Sequence, residues 1–231
     1  MTREAVAPAF PTRLTEGYKA FLNGRFPSER ERFEVLAERG QSPETLIIGC
    51  CDSRVSPEVI FDASPGELFV VRNVSNLVPP FETGGDFHGT SAALEFAVQA
   101  LKVKHIVVLG HQMCGGIKAF ANHADPLSPG DFIGKWMELV APAAERLGPR
   151  PDGEAEQDYL RKLEFAAIEN SLANLMTFPC VRILVEKGRL ALHGAFFGVA
   201  TGHLFVRDPD SGVFTPVIAD LPGRVSAIGC T

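Results

Sequence analysis

Two short clusters carry residue types that bind metals and move protons: Gly49-Cys50-Cys51-Asp52-Ser53-Arg54-Val55 and Gly110-His111-Gln112-Met113-Cys114-Gly115-Gly116. Thiolate and imidazole together suit zinc. His111 and Cys114, at spacing i and i+3, converge on one ion where the chain turns into a helix, and Cys50 offers a third ligand. Cys51 is expected to point elsewhere, because neighbouring residues leaving a strand project to opposite sides. Three protein ligands leave a fourth position for water, as in a catalytic zinc site, and bound water there reaches a pKa near 7. Two thiolates cancel the formal charge of the ion, so that water should be less acidic than at a three-histidine site. Activity is therefore expected to rise toward alkaline pH. The other reading of these residues makes Cys50 and Cys114 small buried hydrophobes and His111 a capping side chain. Core burial, however, gives no reason for Asp52 and Arg54 beside the thiol.

Alternate residues project to one side, so Asp52 and Arg54 can form a bidentate pair. A carboxylate so held stays ionised and can accept a hydrogen bond from zinc-bound hydroxide, aiming its remaining lone pair at an electrophile. Without that clamp, Asp52 could itself become the fourth ligand. A plain surface salt bridge is the alternative reading.

Positioning these clusters requires strands that end at them. Thr45 to Gly49, Leu68 to Val71 and His105 to Leu109 are short, β-branched apolar runs without polar alternation, as in strands covered on both faces. Between the second and third, Ala93, Leu94, Ala97, Val98 and Leu101 recur at helical spacing within Thr90 to Lys102. Strand, helix, strand of this length implies a parallel sheet, and ligands in open α/β sheets bind beyond the carboxyl ends of the strands. Asp131 to Leu147 and Glu154 to Lys187 read as helices, the latter divided or kinked at Pro179. Leu190 to Phe197 and Leu204 to Arg207 flank Thr201-Gly202 as a hairpin at the sheet edge. Residues 13 to 40 read as helical but carry too few apolar positions for a core helix, so they are either a solvated helix or an arm that packs on a neighbour. The fold class expected is α/β: a central, mainly parallel sheet flanked by helices over 41–231, preceded by an N-terminal helical arm over 1–40 packing on a partner subunit, one domain overall.

Composition narrows the function. The 231 residues carry 22 Lys plus Arg against 28 Asp plus Glu, a net charge of −6, which speaks against a nucleic-acid partner. No apolar run approaches the roughly 18 residues that span a bilayer, and no secretory signal is seen in MTREAVAPAF. Five cysteines, an odd and sparse count, argue for a reducing compartment, and a cytoplasmic location is expected. His88 is read as a cap on the helix that starts near Gly89. His105, His123, His193 and His203 are read as surface or packing residues, and Trp136, Cys180 and Cys230 as structural.

At these residues the sequence resembles the β-class carbonic anhydrases, zinc enzymes that interconvert carbon dioxide and bicarbonate. The resemblance runs from about Gly40 to Arg207. It rests on CCDSRV, on PGELFVVRNVSNLVPP (Pro65 to Pro80), on ALEFAVQALKVKHIVVLGHQMCGGIKAF (Ala93 to Phe120) and on ENSLANL (Glu169 to Leu175). It implies Cys50, His111 and Cys114 as ligands of one zinc per subunit, with Asp52 and Arg54 as the catalytic dyad. The plant-like branch fits better than the branch with a regulatory bicarbonate site. Gln41 matches the position whose amide contacts substrate, in that branch from the partner subunit. Phe69, Val74 and Phe96 match the apolar substrate pocket, and Gly115 the position whose backbone N–H faces substrate. Phe69 and Val74 equally suit a buried strand and Phe96 a helix core face. The regulated branch carries Trp, Arg and Tyr in its bicarbonate site; Arg72 matches the Arg, but Ile47 and Phe197 replace the other two. Cys51 departs from the usual Ser or Ala. The resemblance implies a lyase that hydrates carbon dioxide reversibly, in at least a homodimer, with no nucleic-acid or membrane partner. Rivals are hydrolysis of carbonyl sulfide or carbon disulfide on the same scaffold, and a non-catalytic zinc or thiol-sensing module suggested by the vicinal Cys50-Cys51.

Overall fold

The computed structural model describes residues 10–84 and 88–218. Cys230 lies outside them. Two units form, Met1–Gln41 and Ser42–Thr231. The first holds helices α1 (Thr12–Asn23) and α2 (Arg25–Arg39), so the helical stretch expected over 13–40 is two helices broken at Gly24. Neither buries a residue. Phe21, Phe26 and Phe33 pack ring against ring where the helices meet, while Phe10, Leu14, Tyr18 and Leu22, four apart, remain exposed.

The second unit is built on β1 (Thr45–Cys50), β2 (Leu68–Asn73), β3 (His105–His111), β4 (Ala191–Phe197), β5 (Leu204–Arg207) and β6 (Phe214–Pro216), in the order β2-β1-β3-β4-β5-β6. The first four strands in that order are parallel; β5 and β6 run antiparallel at the end. The expected hairpin is therefore present, but β6, a three-residue strand ending in proline, lies outside it. After β1 the chain goes to one side for β2 and to the other for β3. The crevice between the carboxyl ends of β1 and β3 is thus a topological switch point, where open α/β sheets bind ligands.

Alternation splits the strand residues between two faces. Leu46, Ile48, Ile106, Val108 and Phe196 join the main core, and Ile47, Leu109 and Ala195 a smaller one. Each large side chain so buried contributes roughly 1.5–3 kcal/mol. The helices are α3 (Pro57–Ile60), α4 (Gly89–Glu95), α5 (Gly115–Ala121), α6 (Phe132–Met137), α7 (Ala141–Leu147), α8 (Glu156–Leu175) and α9 (Pro179–Glu186). Pro179 does start a separate helix. The stretch Asp131 to Leu147 is not one helix but α6 and α7 joined by a tighter turn at Glu138–Val140. α4 continues into a wider π turn, Phe96–Leu101.

Glycines set how closely α8 approaches the sheet. A Cβ on Gly110 would lie 2.7 Å from Ile168 Cδ1, and one on Gly194 3.0 Å from Ile168 Cγ2. With Ile168 seated there, Glu164, one turn earlier on α8, reaches the Cys114 N–H three residues past the end of β3.

Candidate metal centre

β1 ends at Cys50 and β3 at His111; three residues further on, Cys114 precedes α5. One donor atom from each lies within 4.8 Å of the others, and all three residues are buried. Cys51, next along, is exposed. His111 Nδ1 lies 3.0 Å from the Gln112 carbonyl, which fixes the proton on that nitrogen. Its Nε2 is buried with no hydrogen-bond partner. An unprotonated buried imidazole nitrogen facing two thiols is costly unless something electrophilic sits among them. Soft sulfur with imidazole suits zinc, so the residues fit the ion expected from sequence.

The two thiols compete for a proton. The Cys114 thiol beside it, together with burial, drives Cys50 up, whereas its bond to Cys50 drives Cys114 down against burial, helped by Ser75 and the first N–H groups of α5. Burial, the largest single influence on His111, works against a proton, but the Cys50 sulfur, the Gln112 carbonyl and the Asp52 charge together raise the group overall.

Asp52 follows on the same loop. Arg54 Nε and Nη2 donate to its Oδ1 and Oδ2 at 2.9 and 2.6 Å, the bidentate pair expected from spacing. That pair, more than any other influence, holds the carboxyl well below the usual carboxylate range. Oδ2 stands 3.9 Å from His111 Nε2. Arg54 Nη2 also donates to the Met113 carbonyl at 3.1 Å, tying the first loop to the second.

Supporting residues surround these, and two of them, Ser75 and Glu164, were not singled out in the sequence. Ser75 donates its backbone N–H to Cys50 Sγ at 3.3 Å, and its hydroxyl lies 3.2 Å from Cys114 Sγ. Glu164, buried on α8, accepts the Cys114 N–H at 2.9 Å, and burial pushes its carboxyl up to about 7. A signal for Glu164 exists in the sequence: a lone acid between Leu160 and Ile168 on an otherwise apolar helix face. Arg72 donates to the Cys50 and Asp52 carbonyls at 2.8 and 2.7 Å and so braces the turn that carries both. Trp136 Nε1 donates to the Val74 carbonyl at 2.8 Å.

The substrate-pocket residues divide. Val74 packs in the cluster that holds Cys50 and Cys114, and it lines a cleft of about 780 Å³ with Cys51, Asn73, His88 and Trp136. Phe69 packs on the main core instead, and its ring meets that of Phe96 at 5.8 Å; neither lines this cleft. Phe96 is 49% exposed rather than part of the core. Gly115 opens α5, and Gln41 is exposed in the N-terminal unit. His88 stands before α4 but does not cap it; its Nε2 pairs with the Gly84 carbonyl at 2.7 Å. His203 is buried, not on the surface, and its Nε2 has no partner among the described residues.

Fold and site define a class: an open α/β sheet whose switch point carries a sulfur–imidazole cluster able to hold a metal ion, with an ionised carboxylate beside it. A family model described as carbonic anhydrase matches residues 45–204. Beta carbonic anhydrase 3 of Arabidopsis thaliana is 35% identical over 192 residues, 82% of this chain and 74% of that protein. The chloroplastic beta carbonic anhydrase 5 of the same plant is 35% identical over 184 residues, 80% of this chain but 60% of that protein, so the match spans about three-fifths of its length. Among solved structures, the β-carbonic anhydrase CcaA aligns with a TM-score of 0.83 at 31% identity, covering 89% of this chain and 91% of that one. Coccomyxa β-carbonic anhydrase, in complex with acetazolamide, gives 0.74 at 31% identity over 85% and 86% of the two chains. A tetrameric β-carbonic anhydrase of Sordaria macrospora gives 0.66 at 32% identity over 88% and 94%. The chain belongs to the β-carbonic anhydrase family and is, with it, a lyase; the Arabidopsis relatives fit the plant-like branch. No helix among the described residues is long and apolar enough to cross a membrane.

Proposed function

We propose that this protein hydrates carbon dioxide reversibly to bicarbonate and a proton, with one zinc per subunit held by Cys50, His111 and Cys114. The observation that carries the reading is the partnerless His111 Nε2 between two buried sulfurs, with Asp52 Oδ2 3.9 Å away. Zinc bound there supplies the nucleophile by acidifying water. Arg54 holds Asp52 anionic, so Oδ2 accepts a hydrogen bond from the reacting hydroxyl and fixes which lone pair faces the carbon. Val74 offers an apolar wall on which carbon dioxide rests. The Gly115 N–H, in the first turn of α5 where no helical carbonyl is available to it, polarises an oxygen as charge develops.

In this reading a second copy completes the pocket with the Gln41 amide and with Phe69 and Phe96. Support comes from the exposed apolar row on α1, the half-exposed Phe96 ring and the tetrameric Sordaria relative. A reducing, cytoplasmic location agrees with four free cysteines among the described residues. Asp52→Asn tests the dyad: hydration should fall roughly 10²–10⁴-fold, the usual worth of a positioned proton acceptor, with zinc still bound. Near wild-type hydration in that variant would remove Asp52 from the mechanism.

A further inference from the structure

We propose that Ser75 is a positioning residue that tunes the metal centre by hydrogen-bonding both of its sulfurs, Cys50 through the backbone N–H and Cys114 through the hydroxyl. This rests on the reading that Cys50, His111 and Cys114 hold zinc. Ser75 follows β2 in left-handed backbone, with φ at +65° and ψ at 24°, and Asn76 after it has φ at +49°. Such a conformation is costly without glycine and persists where the surroundings over-determine it. They do so here. Asn73 clasps the Leu77 backbone, accepting its N–H at 2.9 Å and donating to its carbonyl at 2.8 Å. Trp136 holds the Val74 carbonyl between them.

That left-handed turn aims both donors of one residue at two sulfurs: the N–H reaches Cys50 Sγ at 3.3 Å and the hydroxyl reaches Cys114 Sγ at 3.2 Å. Ser75 is 1% exposed, so bulk solvent does not compete for the hydroxyl. Its other neighbour, Met137 Sδ at 3.6 Å, is a thioether and a weak acceptor. Space for the hydroxyl is provided by Gly116, where a Cβ would collide with Ser75 Oγ. If the turn needed only a backbone N–H, glycine would supply it without strain. The side chain therefore has its own task.

A metal-bound Cys114 sulfur carries no proton, so the hydroxyl must donate. Hydrogen bonds to ligating sulfur draw charge away from the metal and tune it. Here they offset part of the neutralisation that two thiolates impose, keeping the ion electrophilic. The test loads wild-type, Ser75→Ala and Ser75→Gly proteins with Co²⁺ and records the sulfur-to-cobalt charge-transfer bands. It pairs them with kcat and KM of the zinc forms. Ser75→Gly relaxes the left-handed backbone and guards against a folding failure. Both variants should bind cobalt with bands moved to lower energy, and kcat should fall roughly tenfold with KM unchanged. Bands unmoved in both variants, or moved in the alanine variant alone, would overturn the role of the hydroxyl and leave the zinc reading standing. A wild-type protein without such bands would overturn the zinc reading, and this inference with it.

Discussion

The two ends of the parallel strands use similar residues to opposite effect. At the carboxyl ends, Cys50, His111 and Cys114 are buried and converge, and the imidazole nitrogen that faces the sulfurs has no partner. At the amino ends, Lys102, Lys104, His105 and Arg189 line a cavity of about 570 Å³. There the groups answer one another. His105 Nδ1 lies 3.2 Å from His193 Nε2, Lys104 pairs with Glu44, and the Glu44 carbonyl accepts the Lys104 and His105 N–H groups. Lys102 and Arg189 stand just beyond the ends of the π turn and α9, where helix carbonyls favour positive charge. Charge and histidine alone do not distinguish a site. A buried imidazole nitrogen without a partner, gathered with two buried sulfurs, does.

The largest effect that can break this contrast is loss of a ligand. His111→Ala should lose zinc, measured by metal analysis, by far more than the roughly 10–100-fold affinity loss typical of outer partners. Retained zinc would dissolve the distinction between the two ends. Next comes the pH–rate profile: with two thiolates on the ion, hydration should climb from pH 6 to 9. Asp52 is not the titrating group, since Arg54 keeps it ionised throughout that range. A flat profile would contradict the charge argument. Gly116→Ala sharpens the contrast on the packing side, because its methyl collides with the Ser75 hydroxyl. A loss of about 1–3 kcal/mol in a urea melt is expected.

The smallest effect belongs to the amino end. Burial, then the charge of His105, lowers His193, so the unfolded chain takes up its proton first. Stability should therefore fall as pH drops through the ordinary histidine range near 6.5 and be whole above it. His193→Gln should flatten that slope while changing stability at pH 8 by no more than about 0.5 kcal/mol. A larger change, or any loss of zinc, would give this end a role the comparison denies it.

How much of this was legible in the sequence follows from range. The β-branched runs at 45–49, 68–71 and 105–109 appear as β1, β2 and β3, because burial on both faces leaves an unmixed apolar pattern. Asp52 and Arg54 were legible because their contact is local. Helix continuity was not. Gly24 and the turn at Glu138–Val140 interrupt stretches whose local propensity looked unbroken, and β6 is too short to show a period. Ser75 and Glu164 were missed because their partners lie far along the chain: 25 and 39 residues for the two sulfurs that Ser75 contacts, 50 for Glu164. Phe69, Phe96 and Gln41 entered through resemblance alone, and neither Phe69 nor Phe96 lines the cleft.

Zinc content measured together with the carbon dioxide hydration rate, on one preparation of the purified protein, decides whether Cys50, His111 and Cys114 form a catalytic metal site. The purified protein should carry about one zinc per chain, with activity that falls and returns as the metal is removed and restored. Hydration undiminished in metal-free protein, or one firmly held zinc with no hydration at any pH between 6 and 9, would contradict that assignment.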